Sequence, residues 1–157
     1  MACFVGLHAQ DKSSDTTARY FLIQASIGNL QEVAEAKVAL QKASNPEVKA
    51  FAQRMIDEHS KAQAQLLQLV QARQIQIPQA ALDTPVPDPM LQNTPAKDFD
   101  HMYVDMMSAG HGATVQLFEK YAWTGKDPQV KAWAAQTLPV IKAHLEAIKK
   151  IEEEMKK

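Results

Sequence analysis

Cysteine is nearly missing from this chain. Cys3 stands alone in 157 residues, which excludes an internal disulfide framework and any cysteine-rich zinc or iron–sulfur site. Glycine is scarce as well, with five in all and none arranged as a phosphate-cradling loop. Neither sign of charge dominates: the formal net charge is −1, so the chain carries no basic footprint for nucleic acid. The lysines near the C-terminus alternate with glutamates in KKIEEEMKK, which reads as a solvated helix end. No apolar run approaches the roughly 20 residues of a transmembrane helix, and strand-forming patterns are few.

What is present is helical. Alanine, glutamine, leucine, lysine and glutamate dominate, and apolar residues recur at spacings of three and four. Asp15 or Thr16 can cap a first helix over about 16–43, whose apolar stripe runs through Phe21, Ile23, Ile27, Leu30, Ala34 and Val38. Ser44-Asn45-Pro46 supplies a stop, a cap and a proline at the first helical position. A second helix then runs over about 46–74. Residues 75–95 hold five prolines, a density that predicts a long extended connection without helix. A third helix is expected over 96–124, ended by Gly125. Asp127-Pro128 repeats the cap-plus-proline device and opens a fourth helix to about 155, which Pro139 should bend.

Two short-loop helix pairs joined by one long crossover predict an all-α, ferritin-like four-helix bundle over residues 15–157. Residues 1–14 are set apart as a tail. MACFVGLHAQ has an apolar stretch from Ala2 to Leu7, too short for a complete secretory signal and lacking its basic start. It reads either as the remnant of an export signal or as a frayed terminus. An internal echo supports the bundle: NPEVKAFA at 45–52 and DPQVKAWA at 127–134 sit at the same point of each hairpin. Trp123 and Trp133 flank the second hairpin turn and are expected to clamp it.

DFDHMYVDMMSAGH, residues 98–111, raises the question of a metal. A carboxylate-bridged di-iron site in such a bundle needs Glu-x-x-His pairs. His59 is preceded three residues earlier by Ile56, His111 by Ser108 and His144 by Ile141, so that site is excluded. A simpler site is not. His59, His111 and His144 each lie beside an apolar stripe on a different helix, and Glu32 or Glu35 could add a carboxylate. Three imidazoles and a carboxylate suit iron, zinc or copper if they converge. The competing reading makes each histidine a buried residue satisfied by a neighbouring carboxylate or carbonyl. Asp98 and Asp100 fit the first turn of the third helix, where negative charge is favoured. His101 and Asp105 fit a polar face, and Gly110 and Gly112 a close helix approach. Met90, Met102, Met106 and Met107 offer soft thioethers for copper, but at helical spacing they read as core. Ser108 and His111 have no third group to make a nucleophile and base.

Three blocks carry a wider likeness: FLIQASIGNLQEVAEAKVALQKASNPEVKAFAQRMIDEHSKA, DFDHMYVDMMSAGHGATVQLFEKYA and VKAWAAQTLPVIKAHL. Over about residues 18–148 the chain resembles the bacterial DUF4142 family, exported ferritin-like domains without an assigned biochemical role. Glu32, His59, Phe99, Asp100, His111, Leu138, Pro139 and His144 match family positions. Where the family usually has an Asp-His pair, this chain has Gly110-His111; Asp57-Glu58-His59 and His101 also depart from its pattern. The resemblance implies export to the periplasm or envelope, with residues 1–9 as the remnant of a signal. Two functions follow as expectations. One is a non-enzymatic envelope domain that holds no cofactor and acts by contact with an envelope protein partner or small ligand, presented by the 75–95 connection. The other is a metal-binding or redox protein using His59, His111, His144 and Glu32.

Overall fold

The computed structural model describes residues 16–157; the N-terminal tail and its reading as a signal remnant lie outside the described residues. Four long helices carry the fold: α1 (Thr16–Lys42), α2 (Pro46–Arg73), α4 (Ala96–Thr124) and α5 (Pro128–Glu154). A short α3 (Pro89–Asn93) and one 3-10 turn (Gln79–Ala81) interrupt the crossover, and no strand occurs among the described residues. Helices α1 and α2 pack as one hairpin and α4 and α5 as the other. The hairpins meet with α1 against α4 and α2 against α5. This is the expected ferritin-like bundle. Among the described residues, no helix is long and apolar enough to cross a membrane.

Local chemistry sets the boundaries. Asn45 accepts from the Glu47 amide at the start of α2, and Asp127 accepts from the Gln129 and Val130 amides at the start of α5. Each is followed by a proline at the first helical position, whose missing N–H would have had no helical partner anyway. The crossover corrects the expectation of a helix-free connection. Asp88 caps Met90, and Pro89 opens α3 by the same device, so a proline begins a helix where its density had argued against one. Pro139 sits on an exposed side of α5, which runs on through it. Trp133 is buried, but Trp123 is 83% exposed and clamps nothing.

The two turns are pinned reciprocally. Asp100, at the start of α4, does not serve its own helix end as the sequence suggested. Its carboxylate accepts from the Ser44 amide and hydroxyl and from the Asn45 amide, in the turn of the other hairpin. In return Arg73, at the end of α2, donates from Nε and Nη2 to the buried Asp127 at the head of α5.

Two apolar clusters fill the bundle. One gathers Phe51, Met55, Phe99, Tyr103, Met107 and Ile148; the other gathers Phe21, Leu22, Leu66, Phe118, Trp133 and Ile141. Phe21 stacks on Tyr121 at 4.2 Å between ring centroids and meets Phe118 edge-on. On each long helix, the residues between the two clusters include buried polar ones: Asn29 and Glu32 on α1, His59 and Gln63 on α2, His111 on α4 and His144 on α5. The α1 stripe read from the sequence is accordingly displaced. Ile27 is 44% exposed, and the buried face instead carries Ser26, Asn29 and Glu32 in line with Phe21, Leu22 and Ala36.

Gly110 and Gly112 were expected to allow a close helix approach. A Cβ at either would meet no atom within 4 Å, so neither close packing nor a left-handed backbone requires glycine there. Gly110→Ala and Gly112→Ala are each expected to raise stability by about 0.5–1 kcal/mol, the helix-interior cost of glycine. Urea denaturation of the two variants checks this. A loss in either would mean that α4 needs the missing side chain for a reason the packing does not show.

Candidate metal centre

Each of the four long helices contributes one side chain to one buried layer. Glu32 comes from α1, His59 from α2, His111 from α4 and His144 from α5, and none is more than 8% exposed. The three histidines can bring one ring nitrogen each within 4.8 Å of one another, and their ring centroids lie 5.2–5.7 Å apart. Glu32 Oε2 approaches His59 Nε2 at 2.7 Å and His111 Nε2 at 3.6 Å.

The other nitrogen of each ring is already engaged. His111 Nδ1 lies 2.9 Å from the Met107 carbonyl, which can only accept, so Nδ1 carries the proton and Nε2 keeps its lone pair. His144 Nε2 lies 2.6 Å from Glu58 Oε2, which leaves Nδ1 as the lone-pair nitrogen. For His59 the assignment travels further. The Ala81 carbonyl accepts from the Ser26 hydroxyl, Ser26 Oγ accepts from Gln63 Nε2, and Gln63 Oε1 accepts from Asn29 Nδ2. Asn29 therefore turns its Oδ1 to His59 Nδ1, 3.0 Å away, and that nitrogen donates.

What remains are four buried atoms without a hydrogen-bond partner: Glu32 Oε2, His59 Nε2, His111 Nε2 and His144 Nδ1. Glu32 Oε2 and His59 Nε2 lie 2.7 Å apart, and with the His59 proton on Nδ1 the two present lone pairs to each other, an approach that a cation between them would relieve. An unmet buried polar atom costs about 1–3 kcal/mol. Four in one layer call for a compensating group, and a cation is one that the three histidines can face at once, with Glu32 beside His59 and His111. Outer acceptors that fix each imidazole's tautomer are the usual surroundings of metal-bound histidine.

Protonation favours the same chemistry. Burial pushes the His144 imidazole down to about 4, against the pull of Glu58. Burial likewise lowers His111, against the charge of Glu32. Both rings are neutral at pH 7 and hold free lone pairs. Burial raises the Glu32 carboxyl, but the three histidines, His59 foremost, outweigh it and hold the group below the ordinary carboxylate range. Burial also raises Glu58, which Arg54 and His144 bring down below its ordinary value.

Of the two carboxylates weighed from the sequence, Glu32 is at the point of convergence. Glu35 is turned aside: its Oε1 accepts from Gln31, and burial raises its carboxyl. Met107 is buried in the core, Met102 and Met106 pack against it, and Met90 is 63% exposed. Asn29, Gln63 and Ser26 were not singled out from the sequence, and Glu58 was noted only as a departure from the family's pattern, not as a partner of His144. A signal for the first group existed: Ser26, Asn29 and Glu32 repeat every three residues in line with the Phe21–Leu22 face. Glu58 gave none, since its partner His144 lies 86 residues away.

The chain belongs to the DUF4142 family, whose model, described as a domain of unknown function, matches residues 5–151. Among solved structures it is similar to one titled "CopM in the Cu(I)-bound form", with a TM-score of 0.72 and 16% identity over 88% of this chain and 96% of that one. It is also similar to a DUF305 fragment from Deinococcus radiodurans, with a TM-score of 0.71 and 12% identity over 86% and 94% of the two chains. At these identities the likeness establishes the fold alone. No curated protein matches.

Proposed function

We propose that this domain binds one transition-metal ion through Glu32, His59, His111 and His144. The observation that carries the reading is the set of four buried, unpartnered donor atoms, one from each long helix, whose histidines are held in the required tautomers by outer acceptors. Three imidazoles and a carboxylate, with no thiolate, suit zinc, Cu(II) or Fe(II). The Cu(I)-bound state of a protein with this fold supports putting copper among the first ions tried. The resemblance to exported domains supports a place in the cell envelope.

A domain acting only through partner contact is the less favoured reading. The crossover that would present such a surface is itself tied down: Ala81 and Leu91 are buried, and Lys42 donates to the Gln92 and Thr94 carbonyls. The layer would then be a buried ion-pair network with no ligand.

The test is metal content after purification without a polyhistidine tag, followed by titration with each ion. One ion per chain is expected, with affinity at least a hundredfold lower in His111→Ala. His111 is the sharpest control, because it is fully buried and its ring makes no side-chain hydrogen bond. No binding of any ion would leave the layer structural and refute the proposal.

A further inference from the structure

We propose that the metal at this centre keeps one open coordination position, facing a small cavity that admits an exogenous ligand of up to about three heavy atoms. The inference rests on the metal-binding reading and specifies what that site does. A cavity of about 40 Å³ abuts the donor set, its wall including Glu32, His59 and His144, but not His111. One water needs roughly 10–15 Å³ by the same measure, so there is room for two or three waters or a small anion. The lining is largely apolar, with Gly28, Leu117 and Ile141 among it, so a bound molecule draws its main attraction from the ion. Gln24 and Val140, also on the wall, are exposed and mark the way to solvent.

The donor arrangement is lopsided toward the same side. Glu32 crowds His59 and His111, at 2.7 and 3.6 Å, and no comparable approach joins it to His144. The cavity touches both Glu32 and His144. With Glu58, also on the wall, paired to Arg54, a divalent ion held by Glu32 as its one carboxylate retains one positive charge, which favours hydroxide or another small anion.

Gly28 explains how the space arises. It lies in the interior of α1, one turn before Glu32, where glycine is disfavoured relative to alanine. Its backbone is not left-handed, and a Cβ there would meet nothing within 4 Å. Neither a turn nor a tight helix contact requires it. What its missing side chain leaves is open space on the cavity wall.

The experiment loads the protein with Co(II) and titrates azide while recording the visible d–d bands. The wild type is expected to take one Co(II) and to show a saturable spectral change with azide. Gly28→Leu is expected to take Co(II) with the same stoichiometry while its azide affinity falls at least tenfold. Thr137→Met fills the cavity from α5 and serves as the second variant if the first does not fold. Co(II) bound without any azide response would overturn the open position and leave the metal site standing. An unchanged response in the filled variants would overturn the cavity as its route. Failure of the wild type to bind Co(II), Zn(II) or copper would overturn the metal reading and this inference with it.

Discussion

Asp100→Ala is expected to destabilise the protein by about 3 kcal/mol, far more than a substitution near a helix's start ordinarily does. The carboxylate is 9% exposed and receives the Ser44 amide, the Ser44 hydroxyl at 2.5 Å and the Asn45 amide at 2.9 Å. Hydrogen bonds to a charged acceptor contribute about 1.5–3 kcal/mol each. Ser44 is exposed, so water recovers part of that loss. For a domain of this size about 3 kcal/mol lowers the melting temperature by roughly 6–12 °C. Asp100→Asn keeps the shape and loses the charge, and should recover part of the difference. Thermal and urea unfolding of both variants measures it. A change below about 0.5 kcal/mol for the alanine variant would mean the turn is held by its own residues.

Acidifying the metal-free protein from pH 7 to pH 4 is expected to remove a comparable amount. His144 titrates at about 4 in the folded protein, against an ordinary value of 6.5. Between those values the unfolded chain binds a proton that the folded chain refuses, so stability is complete above about pH 6.5 and drains away as pH falls toward 4. At about 1.4 kcal/mol per unit, His144 alone accounts for on the order of 3 kcal/mol. His111 is shifted in the same direction and adds to it. Glu32 and Glu58, both held below their ordinary values, extend the loss below about pH 4.5. Glu35, raised by burial, opposes it in part. Urea midpoints at pH 7, 6, 5 and 4, measured with chelator and then with saturating metal, test the sign. An ion held as proposed would bind the neutral imidazoles, so saturating metal should hold stability up to lower pH. A flat profile between pH 7 and pH 5 without metal would contradict the neutral, buried histidines.

The long helices were legible in the sequence because their ends are written locally. Asn45-Pro46 and Asp127-Pro128 are cap and first position of the helices they open, and the bounds expected from them agree with the structure within a residue or two. The short helix in the crossover was not legible, since five prolines mask the one that happens to follow a capping aspartate. The site was legible in its members and not in its assembly. His59, His111, His144 and Glu32 could each be picked out by type and by a neighbouring apolar face. Convergence depends on helices meeting at one level, which no local pattern encodes. The internal echo gives no help here. Its offset of 82 residues pairs His59 with Ile141, and the structure puts Ile141 in the apolar cluster and His144, three residues on, in the polar layer. The likeness between hairpins governs their turns and does not extend to the buried histidines.

The chain of donors running from His59 to the Ala81 carbonyl has an evolutionary corollary. Its direction is imposed by its last member, an oxygen of the peptide backbone, which every amino acid supplies in the same form. Drift at position 81 therefore leaves the proton on His59 where it is, provided the small side chain that fits there is respected and the chain keeps its path. Ser26, Asn29 and Gln63 have no such licence, because each must both give and receive. An alignment of homologues is expected to show the crossover diverging around one retained carbonyl, with Ser26, Asn29 and Gln63 varying as little as the four proposed donors.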